Sequence, residues 1–231
     1  MIILQEQCFG LNDDHLVNVN DSHQLMAEVA DQYKRMQDAA ANEGHDLQIC
    51  SSYRSFDKQL SIWNRKWEGM LPLNTLDGNQ LEASKLSSEE KIHAIMLWSA
   101  LPGASRHHWG TDFDVYDKSK VARYTQDGNR RFELIPEEYE GQGPCAALAS
   151  WLCDNAPKYN FSFPYATYTG GVAKEPWHLS YSPIANKIID MLKLESLAAL
   201  LQGAEINGKS TILPRLPTLF KRYTLNEGTN K

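Results

Sequence analysis

The chain has 231 residues, 42% of them apolar and 23% charged, which is the balance of an ordinary globular protein long enough to bury a substantial core. Its formal net charge of −6, with no Lys/Arg-rich run, argues against nucleic acid as a partner, because such binding starts from a basic footprint. No apolar run approaches the roughly 20 residues that span a bilayer, so no membrane-spanning helix is expected.

The first residues, MIILQEQCFGLNDDHLV, lack a basic start and soon turn acidic. They do not read as a secretory signal. The expectation is a cytoplasmic protein, or a periplasmic or secreted one whose leader has been removed. The stretch 21–44 predicts an amphipathic helix, with Asp21 or Ser22 as cap, Leu25, Val29, Tyr33 and Met36 as the apolar stripe, and a stop near Gly44. LQICSSY (47–53) predicts a short apolar strand. It is followed by a helix that Ser55 caps and whose one face carries Leu60, Trp63 and Trp67. Gly, Pro, Asn and Asp signals make 69–86 a surface excursion.

SSEEKIHAIMLWSAL is a further helix, opened by Ser87 or Ser88 ahead of two glutamates. TDFDVYD (111–117) alternates as a half-buried strand does. Residues 118–143 read as polar loop, CAALASWLCDNA as a short helix, and FSFPYA and HLSYS as strand pieces. SPIANKIIDMLKLESLAALLQ predicts one long amphipathic helix starting at Ser182 or Pro183, and the tail beyond it looks irregular. Short strands mixed with helices, without βαβ alternation, point to an α+β fold. Cys8, Cys50, Cys145 and Cys153 show no CxxC spacing. In a helix Cys145 and Cys153 would lie about 12 Å apart along the axis, too far to bridge. Four unpaired thiols suit a reducing compartment.

Three stretches concentrate chemistry. SRHHWGTDFD (105–114) puts Asp112 and Asp114 on one face of a strand, and Gly110 lets His107 fold back towards that face. A His and an Asp placed so need one more nitrogen donor for a three-ligand zinc site with an open fourth position. KEPWHLSY (174–181) sets Glu175 and His178 three apart around Pro176, which forces a bend and can bring carboxylate and imidazole together. A ligating histidine beside a non-ligating carboxylate is what metal-assisted hydrolysis requires. SSYRSFDKQ (51–59) ends a strand on Arg54, whose guanidinium fork suits a terminal carboxylate. Taken singly, each stretch has an ordinary structural explanation: a polar connection, a buried Trp-His pair, a surface arginine.

Their order along the chain is more specific. Tyr53-Arg54-Ser55 with Gln59, then Ser105, His107, Gly110 and Asp114, then Glu175, Trp177 and His178 match the patterns Y-R-S-x-x-x-Q, S-x-H-x-x-G-x-A-x-D and E-x-W-H. Over residues 47–181 the chain therefore resembles the LAS metallopeptidases, in the D,D-carboxypeptidase branch related to the vancomycin-resistance carboxypeptidase. The resemblance implies a hedgehog/D,D-peptidase-like fold: a small central antiparallel sheet flanked by helices, in a single domain over 1–231, with a C-terminal helix and tail at 182–231. It implies one zinc ion per chain, held by His107, Asp114 and His178, with Glu175 activating the attacking water. Arg54 would polarise the scissile carbonyl or hold the substrate carboxylate, with Ser105 and Gln59 as helpers. His108 is expected to be structural, and Asp117, His93, His15, His23 and His45 to be surface or loop residues.

The implied substrate is a peptidoglycan-derived peptide or muropeptide that loses a terminal D-alanine. A cytoplasmic enzyme would act as an L,D-carboxypeptidase on recycled tetrapeptides, and an exported one as a D,D-carboxypeptidase on pentapeptides. The same metal triad serves endopeptidases and dipeptidases of the family, and the fold also includes zinc-binding domains that hydrolyse nothing. Retention of Glu175 speaks against the last of these. One position departs from the pattern: Asp112 stands where alanine is common. It either pairs with a neighbour such as Arg106, the simpler role, or binds substrate by recognising an ammonium group on a diamino acid.

Overall fold

The computed structural model describes residues 3–126 and 128–229. In chain order, α1 (Gln5–Cys8) precedes a hairpin of β1 (Leu16–Asn18) and β2 (Gln24–Met26), which runs directly into α2 (Ala27–Asn42). Then come β3 (Leu47–Ser51), α3 (Phe56–Trp67), a small hairpin of β4 (Leu73–Asn74) and β5 (Gln80–Leu81), and α4 (Ser88–Met96). A 3₁₀ turn at Arg106–His108 leads into β6 (Asp112–Asp117) and α5 (Lys118–Tyr124). The rest comprises α6 (Ala146–Asn155), β7 (Phe161–Ser162), β8 (His178–Tyr181), α7 (Ser182–Met191), α8 (Leu194–Gly203), α9 (Lys209–Leu219) and a wide π-type turn at Phe220–Thr224. No helix among the described residues is long and apolar enough to cross a membrane.

The fold is α+β, as expected, around a four-stranded sheet of order β3-β6-β8-β7 in which every pairing is antiparallel. Strand alternation gives this sheet two distinct faces. Phe113, Val115, Leu179 and Tyr181 project to one side and pack with Val29, Tyr33 and Met36 of α2 and Leu148 and Leu152 of α6. Tyr33 and Phe161 each meet the Phe113 ring edge-on, at 5.3 and 5.2 Å between centroids. Burying each such side chain stabilises the fold by about 1.5–3 kcal/mol. The opposite face carries Asp112, Asp114, His178 and Ser180. A second apolar cluster joins α3, α4 and α7 to α9, and the Trp63 indole donates to the Asn207 carbonyl at 3.0 Å.

Several expectations need correction. Helix α2 starts at Ala27 rather than at a cap on Asp21 or Ser22, because residues 24–26 pair with β1 and the Met26 amide bonds to Gly110. Its stripe and its end are as expected, with Glu43 closing the helix before Gly44 at φ 86°. Strand β6 is buried on both faces rather than half-buried. Residues 118–124 are helical, and 69–86 contains a hairpin and a 3₁₀ turn. The long helix after Ser182 breaks at extended Leu192 and Lys193, which redirects its buried side. The tail is not irregular: α9 forms despite Pro214 and Pro217, since Ile212, Leu216 and Leu219 make a buried stripe. Ser55 and Ser87 cap α3 and α4 as expected.

Candidate active site

The polar face of the sheet is where the first two motifs meet. In the β6–β8 register Asp114 stands opposite His178 and Asp112 opposite Ser180. Both aspartates therefore reach the same imidazole: Asp114 Oδ1 lies 3.1 Å from His178 Nδ1, and His178 Nε2 donates to Asp112 Oδ1 at 3.1 Å. His107 arrives from the 3₁₀ turn before β6. Gly110 makes that return possible at φ 69°, a conformation that L side chains rarely adopt, and a Cβ there would also meet Leu16. His107 Nδ1 donates to the Ser52 carbonyl at 2.9 Å, which leaves Nε2 as the free nitrogen, 3.4 Å from Asp114 Oδ2.

One atom each from His107, Asp114 and His178 thus falls within 4.8 Å of the others, all three residues buried. Two of the polar atoms so enclosed, Asp114 Oδ1 and His178 Nδ1, face each other at 3.1 Å but make no well-formed hydrogen bond. Buried polar atoms are normally satisfied. Two imidazole nitrogens and a carboxylate oxygen converging on one point form a donor set that fits zinc.

Glu175 joins them through the turn that Pro176 forces. The His178 amide bonds back to the Glu175 carbonyl at 3.2 Å, and Glu175 Oε2 comes 3.6 Å from His178 Nδ1. Burial, reinforced by Asp114, pushes the Glu175 carboxyl up to about 7, although His178 and Arg54 pull the other way. Burial also drives His107 well below the usual imidazole range, helped by Arg54 and His178. Burial works against a charge on His178 too, but Asp112 and Asp114 outweigh it and raise that group to about 9.

Arg54 is held from three directions. Its amide donates to the His107 carbonyl at 3.0 Å, its carbonyl accepts from His108 Nδ1 at 2.6 Å, and its guanidinium donates to Gln59 Oε1 at 3.1 Å. The guanidinium Nε is left without a partner. His108 also accepts from the Gly103 amide at 3.0 Å, so it is the structural residue that the sequence implied.

Two open spaces flank the trio. A cleft of about 580 Å³ lies on the Asp114 side, between the β4–β5 hairpin and residues 133–137. A narrow recess of about 40 Å³ lies on the His178 side, with Ser105 and Tyr165 in its wall. Arg54, His107 and Glu175 border both.

A scan against family models matches residues 22–184, more than half of the chain, to the VanY D-alanyl-D-alanine carboxypeptidase model. The chain belongs to the VanY family. An uncharacterized protein of Haemophilus influenzae is 32% identical over 125 residues, covering 53% of this chain and 92% of the relative. The vancomycin-resistance D,D-pentapeptidase VanY shares the fold at 23% identity. Its complex with Zn(II), a glutamate-to-alanine mutant, superimposes with a TM-score of 0.51 over 76% of this chain and 84% of that one. Its complex with D-alanine-D-alanine gives 0.52 over 80% and 88%. LdcB, an LD-carboxypeptidase, is 26% identical with a TM-score of 0.51, covering 79% of this chain and 76% of that one.

Within this VanY-family site, Asp112 and Gln59 are both fully enclosed. Asp112 lines neither of the two spaces. It is fully buried and takes bonds from Arg106 at 2.7 Å, from His178 and from Thr111. The pairing with Arg106 is the one present, and the same carboxylate holds His178. Gln59 is equally inaccessible, spending its amide on Ala100 and its oxygen on Arg54, so it positions the arginine. Asp117 is not a surface residue but is buried and caps α5. His93 lies in α4, half-buried, and bonds the Tyr223 hydroxyl at 2.9 Å.

Sequence reasoning passed over Lys66, Trp98, Tyr165, Tyr223 and Thr224, all of which line one of the two spaces. Lys66 was the one with a readable signal, since it follows Gln59 by two helical turns and shares its face. Burial beside Arg54 lowers its amine to about 8. The others come from turns and a tail whose spacing carries no pattern.

Proposed function

We propose that this protein is a zinc-dependent carboxypeptidase that removes a terminal D-alanine from peptidoglycan stem peptides. The reading rests above all on the buried, converging trio His107, Asp114 and His178, with the Glu175 carboxylate 3.6 Å from His178 Nδ1. The Zn(II) and D-alanine-D-alanine complexes of VanY support it.

Zinc held by the three side chains would lower the pKa of a water and polarise the scissile carbonyl. Glu175, raised towards neutrality and next to the trio, takes the proton of the attacking water as the new C–O bond forms. It then passes that proton to the departing amine as the C–N bond breaks, and free D-alanine leaves with its carboxylate. Arg54, with Nε unpartnered and its fork steadied by Gln59, receives that carboxylate in the recess. Ser105, also in the recess wall, is placed to hydrogen-bond the same residue. Lys66 stands in the wider cleft, where it meets the other carboxylates of an acidic stem peptide.

Bond choice follows from compartment. With a cytoplasmic location, which the four free thiols favour, the substrate is a tetrapeptide from recycled muropeptides and the activity is L,D. A D,D-enzyme in that compartment would attack the pentapeptide precursors being made there. Purified, zinc-loaded protein given tetrapeptide and pentapeptide separately should release D-alanine from the tetrapeptide. Release from the pentapeptide alone would overturn the L,D assignment, and release from neither would overturn the carboxypeptidase reading.

A further inference from the structure

The family match ends at residue 184, yet the wall of the recess does not. Tyr223 and Thr224 border the same narrow space as Arg54, Ser105 and His178, and both are buried. They reach it because the chain leaves α9 in a wide turn, with the Leu225 amide bonded to the Phe220 carbonyl at 2.9 Å. Such π-type turns often occur at functional sites. Tyr223 is fixed there by its hydrogen bond to His93.

The same segment grips the connection between β7 and Glu175. The Asn226 side-chain oxygen accepts from the Val172 amide at 3.0 Å, and Arg222 Nε donates to the Gly170 carbonyl at 2.7 Å. That connection supplies Tyr165 and Val172 to the recess, and the Tyr165 carbonyl accepts from the Glu175 amide at 3.0 Å. The tail therefore touches the recess directly, through Tyr223 and Thr224, and indirectly, through the loop it holds in place.

We propose that the C-terminal segment 220–226 is the specificity-determining wall of the site: through Tyr223 and Thr224 it narrows the recess beside Arg54 and His178 and so restricts the departing residue to one with a side chain as small as the methyl of D-alanine. This rests on the carboxypeptidase reading above. Thr224 is the residue that meets the departing side chain. Asn226 and Arg222 are positioning residues that act through the 164–172 loop. Selection by a small pocket is effective because one added methylene changes fit by about tenfold or more.

The test uses full-length, zinc-loaded protein and paired peptides ending in D-alanine or D-2-aminobutyrate, which differ by one methylene. Thr224→Ala should shift the ratio of kcat/KM values towards D-2-aminobutyrate by about tenfold, with zinc content unchanged. Thr224→Val, nearly the same in volume, should restore most of the wild-type ratio. Asn226→Ala should relax the ratio in the same direction as Thr224→Ala, by less. Arg215→Ala, an exposed residue on α9 paired with Glu89, should change nothing. A merely structural segment would lower the rates for both peptides in proportion, and an unmoved ratio in Thr224→Ala and Asn226→Ala would overturn the inference while leaving the reading of the enzyme intact. A wild type that cleaves no D-alanyl peptide would overturn both.

Discussion

The two sides of this site are built differently. On one side Asp112, Asp114 and His178 project from adjacent strands, and their placement follows from the β6–β8 register and from hydrogen bonds to Arg106 and Thr111. On the other, Tyr165, Val172, Tyr223 and Thr224 come from turns and a tail, tied down by a few bonds from Arg222 and Asn226. A side chain on a strand inside a hydrogen-bonded sheet has few ways to move, whereas a loop is set by whatever pins it. On the account proposed above, the strands fix Asp114 and His178, and the connections decide which residue the recess accepts.

That contrast can be broken from either side. The largest effect is expected for Glu175→Gln, which keeps the shape of the side chain and removes its basicity. Hydrolysis should fall by about 10²- to 10⁴-fold, while zinc titration should still find the metal site intact. Asp112→Asn is expected next. It weakens the bond that orients His178 and leaves Arg106 with a diminished partner, so zinc affinity should drop about 10- to 100-fold in a chelator competition. Were zinc affinity unaffected, the role given to Asp112 would be wrong.

The smallest effect belongs to the cleft. Lys66→Met should raise KM about tenfold near pH 7 while kcat stays within about twofold, as befits a lost charge-assisted contact. The lysine amine is charged below about 8 and loses its proton above it. The ratio of wild-type to variant kcat/KM should therefore be largest at pH 6–7 and shrink towards one as the pH rises past about 8. A ratio independent of pH would show that Lys66 acts by packing rather than by charge.

How far the sequence could be read follows the same division. Strand parity put Asp112 and Asp114 on one face, and Pro176 required the bend that joins Glu175 to His178, because both are consequences of local backbone rules. Those rules brought the residues together, and the family resemblance named His107, Asp114 and His178 as ligands. Partners that reach across the fold left no local trace: nothing in the spacing of Arg106 and Asp112 said which role Asp112 would take, and nothing in the tail linked Thr224 to Arg54. The misplaced start of α2 has the same origin. Residues 24–26 suit a helix by pattern, but the strand opposite them and the Gly110 carbonyl claim their backbone. Pro214 and Pro217 likewise hid a helix whose buried stripe outweighs them.

The most direct test of the site is metal content by elemental analysis on carefully purified wild type and His178→Ala, each dialysed against the same zinc buffer. About one zinc ion per wild-type chain, lost in the variant together with hydrolysis, is the expected result. A wild type that takes up no zinc, or a His178→Ala variant that keeps it, would contradict the assignment of His107, Asp114 and His178 as its ligands.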